Sequence, residues 1–155
     1  MKLTMIAVGQ RMPEWINSGF AHYAKRMPPE ARIELIEIKS EERSGKTAEK
    51  LLDAEQARIE AALPKNATRV VLDERGVMIS TKQLSGWLGD WMREGNAPCF
   101  IIGSADGLAS ALKHSAHQTI ALSACTLPHG LVRVLLAEQL YRAWSLMNHH
   151  PYHRE

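Results

Sequence analysis

The chain has 155 residues, 45% of them apolar and 23% charged, and a formal net charge of +2. That length suits one domain, residues 1–155, with a sizeable core, and the composition excludes a disordered chain. A charge so near zero excludes a broadly basic surface, so any nucleic-acid contact must be a local patch.

The run LTMIAV, Leu3 to Val8, ends at Gly9 and predicts a buried first strand. It is too short for a signal segment and far too short to span a bilayer, and no later stretch could span one either. From Pro13 to Met27, Trp15, Ile16, Phe20, Tyr23 and Ala24 recur at helical spacing until Pro28-Pro29 stops them. RIELIEI, Arg32 to Ile38, alternates as a half-exposed strand does. After the charged loop SEERSGK, Ser40 to Lys46, a helix is predicted from Thr47 to Leu63, closed by Pro64. RVVLD, Arg69 to Asp73, predicts a third strand, with a turn around Arg75-Gly76. Ser80 to Glu94 predicts a helix with Leu84, Trp87, Leu88 and Trp91 on one side. CFIIG, Cys99 to Gly103, is a fourth strand, followed by a short helix near Leu108 to Ser115. TIALS, Thr119 to Ser123, is a fifth, followed by a long helix from about His129 to Asn148.

Five strands alternating with helices predict a single α/β domain with a mostly parallel sheet and helices on both faces. Ligands of such sheets bind beyond the carboxyl ends of the strands. Here those ends are Leu72-Asp73, Gly103 to Gly107 and Leu122 to Leu127. GSADG, Gly103 to Gly107, lies between strand and helix; it is either a simple strand-to-helix turn or a loop whose glycines allow tight turning and close backbone approach to a ligand. It is neither a dinucleotide fingerprint nor a P-loop.

Cys99 and Cys125 lack zinc spacing and fit the reduced thiols of a cytoplasmic protein. Cys125 and His129 stand four apart, but Pro128 takes them out of helical register, so Cys125 reads as a packing residue. The last helix is apolar almost all round, which one sheet face does not require. A second copy of the chain is the economical cover, with Arg133, Glu138 and Arg142 either at or near that interface or forming an internal salt-bridge set. The ending NHHPYHRE, Asn148 to Glu155, holds three histidines, a tyrosine and an arginine. Pro151 breaks the register of His149, His150 and His153, and no Cys or acidic partner accompanies them, so no metal is expected. A docked tail facing RNA suits these side chains.

LPHGLVRVLLAEQLYRAWSLMNHHPYHRE, with GSADG and the KLTMIAVG start, resembles the RlmH family of the SPOUT methyltransferase superfamily along the whole chain. The resemblance implies a C-terminal trefoil knot, an exception to the rule against threaded chains. It also implies a homodimer with facing knots, a bent S-adenosylmethionine in the knot loops, and a ribosomal substrate. That substrate is N3 of a pseudouridine in the hairpin loop of helix 69 of 23S rRNA, methylated on the assembled ribosome. Carried over by position, the cofactor residues are Leu72, Gly103, Leu122, Ser123, Ala124, Cys125, Thr126 and Leu127. Family members commonly read G-G-P-E-G where Gly103-Ser104-Ala105-Asp106-Gly107 stands here; losing the proline makes the loop less pre-organised, and the acid is one methylene shorter. Gly130 replaces a frequent proline at the start of the last helix. Such a transfer needs alignment and a deprotonated imide nitrogen, and no metal. His129, Glu138 and His153 are candidates for the base. Arg142 and Arg154 could grip phosphate or the developing charge, and Tyr152 could stack on the target base. The rival readings are a non-catalytic RNA- or nucleotide-binding dimer and a methyltransferase of this fold acting on transfer RNA.

Overall fold

A computed structural model describes residues 1–154. Its elements, in chain order, are β1 (Leu3–Val8), α1 (Glu14–Ala24), β2 (Ile33–Ile38), α2 (Ala48–Ala62), β3 (Thr68–Met78), α3 (Thr81–Glu94), β4 (Pro98–Ile102), α4 (Ser110–His114), β5 (Gln118–Ala121) and α5 (His129–Met147). The sheet runs β2-β1-β4-β3-β5, and every pairing is parallel.

Local chemistry sets the boundaries. Thr47 caps α2 by accepting the Lys50 N–H at 3.2 Å. Ser80 and Gln83 form a reciprocal capping box on α3, and Gly95 closes that helix in the left-handed region. The first helix ends three residues before Met27. Arg26 and Met27 instead bond to the carbonyls of Tyr23 and Ala24, a tightened last turn, because Pro28 disfavours helical geometry at the residue before it.

The third strand departs most from expectation. It does not end at Asp73. Leu72 and Val77 both pair with Ile120, so residues 73–76 loop out and the strand then resumes to Met78. Gly76 is the reason a turn signal sits inside a strand. A Cβ there would lie 2.6 Å from the Ile120 carbonyl carbon, so only glycine lets the two backbones approach.

Alternation along the strands divides the core into two layers. Leu3, Met5, Ala7, Val70 and Phe100 pack with α3 and α5, while Ile6, Val8, Val71, Cys99 and Ile101 pack with Ile59 of α2 and Leu112 of α4. Within the first layer α5 lies between α1 and α3. Val134 would touch a Cβ at Gly19 of α1, and Ser85 of α3 donates to the Ala143 carbonyl at 2.9 Å. No residue of α5 is exposed. Much of the apolar circumference that the sequence assigns to a second copy is therefore covered by this chain's own helices, leaving Leu131, Leu135 and Leu146 half-buried.

Arg133 is likewise internal rather than interfacial. Its side chain is 1% exposed; Nη1 meets Glu37 Oε2 at 2.6 Å and Nη2 donates to the Gly9 carbonyl at 2.7 Å. The guanidinium ties α5 to the carboxyl ends of β1 and β2. Glu37→Ala, which strands a buried cation, is expected to lower the unfolding free energy by about 2–4 kcal/mol in urea titrations. A loss under about 0.5 kcal/mol, the scale of an ordinary surface substitution, would contradict this role.

Candidate functional site

Beyond the carboxyl ends of β3, β4 and β5 lies a cavity of about 710 Å3, a size suited to a cofactor. Three loops wall it: the looped-out stretch 73–76, the loop 103–107 and the segment 122–128, with His129 and Val132 of α5 closing the side. Leu72, Leu122, Leu127 and Val132 supply half-buried apolar surface. Asp73, Glu74 and Asp106 supply carboxylates against the cations Arg75 and Lys113.

Side chains lace the loops together. Thr126 Oγ1 donates to Glu74 Oε2 at 3.0 Å, Lys113 Nζ meets Asp73 Oδ2 at 3.3 Å, and the Cys125 N–H donates to Ser123 Oγ at 2.9 Å. In GSADG the Gly107 N–H donates to the Ser104 carbonyl at 2.9 Å, and Gly107 adopts φ +84°. The turn folds so tightly that a Cβ on Gly103 would lie 2.4 Å from the Gly107 carbonyl oxygen. The close approach expected between Gly103 and a ligand is thus an approach of the loop to itself. The departures from the proline-containing pattern are compensated by side chains. Ser104 Oγ donates to Glu55 Oε1 at 3.1 Å, and Asp106 pairs with Arg43 at 2.6 Å.

His129 is the first residue of α5 and lines the cavity. Its pKa is lowered, first by burial and then by the Arg133 charge, with Glu55 opposing. It is neutral near pH 7 and able to accept a proton. Gly130 is buried, and a Cβ there would meet Met12 Sδ at 3.1 Å, so glycine lets the start of α5 pack on the β1–α1 loop.

A second cluster lies further along α5. The helix ends in a Schellman turn: His149 takes φ +57°, its N–H reaches the Leu146 carbonyl, and the His150 N–H reaches that of Ser145 at 2.8 Å. The tail then folds back. Tyr152 Oη donates to Glu138 Oε1 at 3.0 Å, and its ring packs edge-on to Tyr141 at 4.7 Å. The guanidiniums of Arg142 and Arg26 lie 4.7 and 5.1 Å from its centroid. Glu138 also accepts from Arg142 Nε, Arg142 Nη2 and Gln139 Nε2. The bond to Glu138 raises the Arg142 pKa, while burial first and then Glu138 raise that of Tyr152, which stays a phenol.

The structure therefore brings Leu72, Gly103, Leu122, Ser123, Cys125, Thr126, Leu127 and His129 to one cavity. Ala124 is exposed and does not line it. Glu138, Arg142 and Tyr152 come together elsewhere, His153 is half-buried and Arg154 exposed; Glu155, the end of the predicted tail, lies outside the described residues. At 1.5 Å per residue, Glu138 is about 14 Å along the helix from His129. Lys113, Glu74, Arg26 and Glu55 escaped the sequence reading. Only Glu55 left a signal, since it shares a face with Leu51 and Ile59 at intervals of four. Cys99 is in the core, its thiol pushed up to about 12 by burial, while Cys125 is exposed. Among the described residues no group of three or more His, Cys, Asp or Glu is placed to hold a metal ion.

The fold of this chain is shared with solved structures. A probable methyltransferase from Bordetella pertussis Tohama I superposes with a TM-score of 0.57 at 16% identity, over 91% of this chain and 95% of that one. A probable methylase family protein from Haemophilus influenzae Rd KW20 gives 0.53 at 13% identity, over 99% of this chain and 70% of that one. Sequence narrows the class. Residues 1–153 match the family described as "Predicted SPOUT methyltransferase". Relatives called ribosomal RNA large subunit methyltransferase H, from Burkholderia mallei (strain SAVP1) and Burkholderia pseudomallei (strain 668), are each 61% identical over 99% of this chain and 99% of theirs. The chain belongs to the SPOUT methyltransferase family.

Gly103→Ala is expected to break the 103–107 turn. It should lower the melting temperature by several degrees, equivalent to about 1–3 kcal/mol, and abolish S-adenosylmethionine binding in calorimetry. Wild-type melting and affinity would show that the loop relaxes around a methyl group.

Proposed function

We propose that this chain is an S-adenosylmethionine-dependent methyltransferase acting on N3 of a pseudouridine in the hairpin loop of helix 69 of 23S rRNA, on the assembled ribosome and as a homodimer. The observation that carries the reading is the cavity, walled by the same loops that the family resemblance assigns to the cofactor. The 61% identity to relatives named for large-subunit ribosomal RNA supports the substrate. Glu74 suits a positive centre of the cofactor, and Leu72, Leu122, Leu127 and Val132 suit an adenine ring.

When bound, S-adenosylmethionine supplies a methyl group already made electrophilic by its sulfonium. The chain supplies alignment, exclusion of water and removal of the imide proton. His129 Nε2 or Nδ1 takes that proton, its basic form kept available by burial and the neighbouring Arg133 charge. Glu138, with its carboxylate engaged by Arg142, Gln139 and Tyr152, serves as an anchor and not as the base. Tyr152, whose ring is engaged by Arg26, Arg142 and Tyr141, holds those cations toward RNA phosphate instead of stacking on the base, with Arg154 beside it.

The cavity and the tail cluster of one chain do not meet. A two-fold pairing that lays the tail of one copy at the cavity of the other joins them. Half-buried Leu131 and Leu135 and the 61% exposed Trp15 offer apolar area for it. No helix among the described residues is long and apolar enough to cross a membrane, and the proposed substrate places the protein in the cytoplasm.

Purified ribosomes from a strain lacking this activity, incubated with enzyme and methyl-labelled S-adenosylmethionine, should gain one methyl group on the helix 69 pseudouridine by mass mapping. No transfer to ribosomes would leave a binding module, and transfer to tRNA alone would name the rival substrate. In the same assay kcat/KM should fall as pH drops through a midpoint below the ordinary histidine value of about 6.5, because the proton acceptor is lost there. His129→Gln should remove that limb; an unchanged profile in this variant would dismiss His129 as the base.

A further inference from the structure

The buried stripe of α2 is Leu51, Glu55 and Ile59. Glu55 is 2% exposed, and a carboxylate in such a stripe is costly unless its oxygens are bonded. Both are. Oε1 accepts from the Ser104 hydroxyl at 3.1 Å, and Oε2 accepts from the Glu41 N–H at 3.0 Å. Ser104 belongs to the loop after β4 and Glu41 to the loop after β2, so one side chain stitches together two loops at the carboxyl edge of the sheet. The first of those loops is a wall of the cavity.

We propose that Glu55 is a positioning residue for the cofactor cavity, fixing the 103–107 wall through the hydroxyl of Ser104. The proposal rests on reading that cavity as the S-adenosylmethionine site. The other tie on the loop, Arg43 to Asp106, is weaker, because the Arg43 side chain is 68% exposed and salt screens it. The Glu55–Ser104 bond is shielded from solvent on the Glu55 side and joins a charged acceptor to a neutral donor, the stronger kind of hydrogen bond. It also gives the serine a function. Without the proline of the commoner pattern, the loop is held by a side chain from below.

Ser104→Ala should raise the dissociation constant for S-adenosylmethionine about five- to tenfold, the loss of one hydrogen bond to a charged group. KM for the cofactor should rise in step while kcat at saturation stays near wild type, and Ser104→Thr should restore both. Glu55→Leu, which keeps the apolar stripe and removes both acceptors, should weaken binding similarly, and adding Ser104→Ala to it should cost nothing further. A bond that only stabilises the fold predicts otherwise: a lower melting temperature with unchanged affinity, or additive losses in the double variant, and either result overturns the proposal. Hydrogen exchange at the Gly107 amide, which bonds to the Ser104 carbonyl, gives a readout without ligand. Protection there should fall about tenfold in Ser104→Ala, and unchanged protection overturns the proposal. If wild-type protein binds no S-adenosylmethionine, the reading of the cavity fails, while the exchange data still decide whether Glu55 orders the loop.

Discussion

A single buried guanidinium fixes the geometry on which the site depends. Arg133 reaches from the second turn of α5 to the Gly9 carbonyl and the Glu37 carboxylate, at the carboxyl ends of two adjacent strands. A cation so buried tolerates few arrangements, because each must supply bonding partners. With Arg133 held, the first turn of α5 has one place to lie. His129 then closes the side of the cavity, and the segment before it must pass over β3 and β5. The same charge acts on chemistry as well as position, since it helps burial keep His129 unprotonated.

The far end of α5 obeys a different constraint. Asn148 ends the helix, His149 turns in the left-handed region and Pro151 prevents resumption, so the tail reverses onto the helix it has just left. Glu138 receives it. One carboxylate gathers Arg142, Gln139 and Tyr152, and the aromatic rings of Tyr141 and Tyr152 draw in Arg26 from the turn after α1. The helix thus separates two kinds of surface: a loop-walled cavity whose carboxylates face Arg75 and Lys113 at one end, and an aromatic cluster holding Arg26 and Arg142 around Glu138 at the other.

Legibility of the sequence followed the range of the interactions. β1 was readable to the residue because an apolar run stops at a glycine with φ +120°. The helix starts at Thr47 and Ser80 were also placed to within a residue, because each rests on a local side-chain cap. Gly76 misled, because its demand comes from the backbone of Ile120, far along the chain, which no local pattern records. The apolar girth of α5 was read as a docking face, although α1 and α3 cover much of it; periodicity reports that a residue is buried, not by what. The cavity loops were found because parallel sheets concentrate ligands at strand ends and because a family pattern marks these positions. Glu55 left one signal, its place on the face of Leu51 and Ile59, but in a helix rich in Ala and Glu, where solvent exposure is the ordinary fate of a carboxylate, that signal was easily passed over.

The central claim is that one active site is shared by two chains, the cavity from one and the tail cluster from the other. Mixed dimers of a cavity-defective chain, Gly103→Ala, and a chain truncated before Tyr152 test it directly. Each parent alone should be inactive on ribosomes, and the mixture should recover about a quarter of the wild-type rate, the share of sites in which an intact cavity faces an intact tail. No recovery from a mixture shown by mass to contain heterodimers would contradict the account.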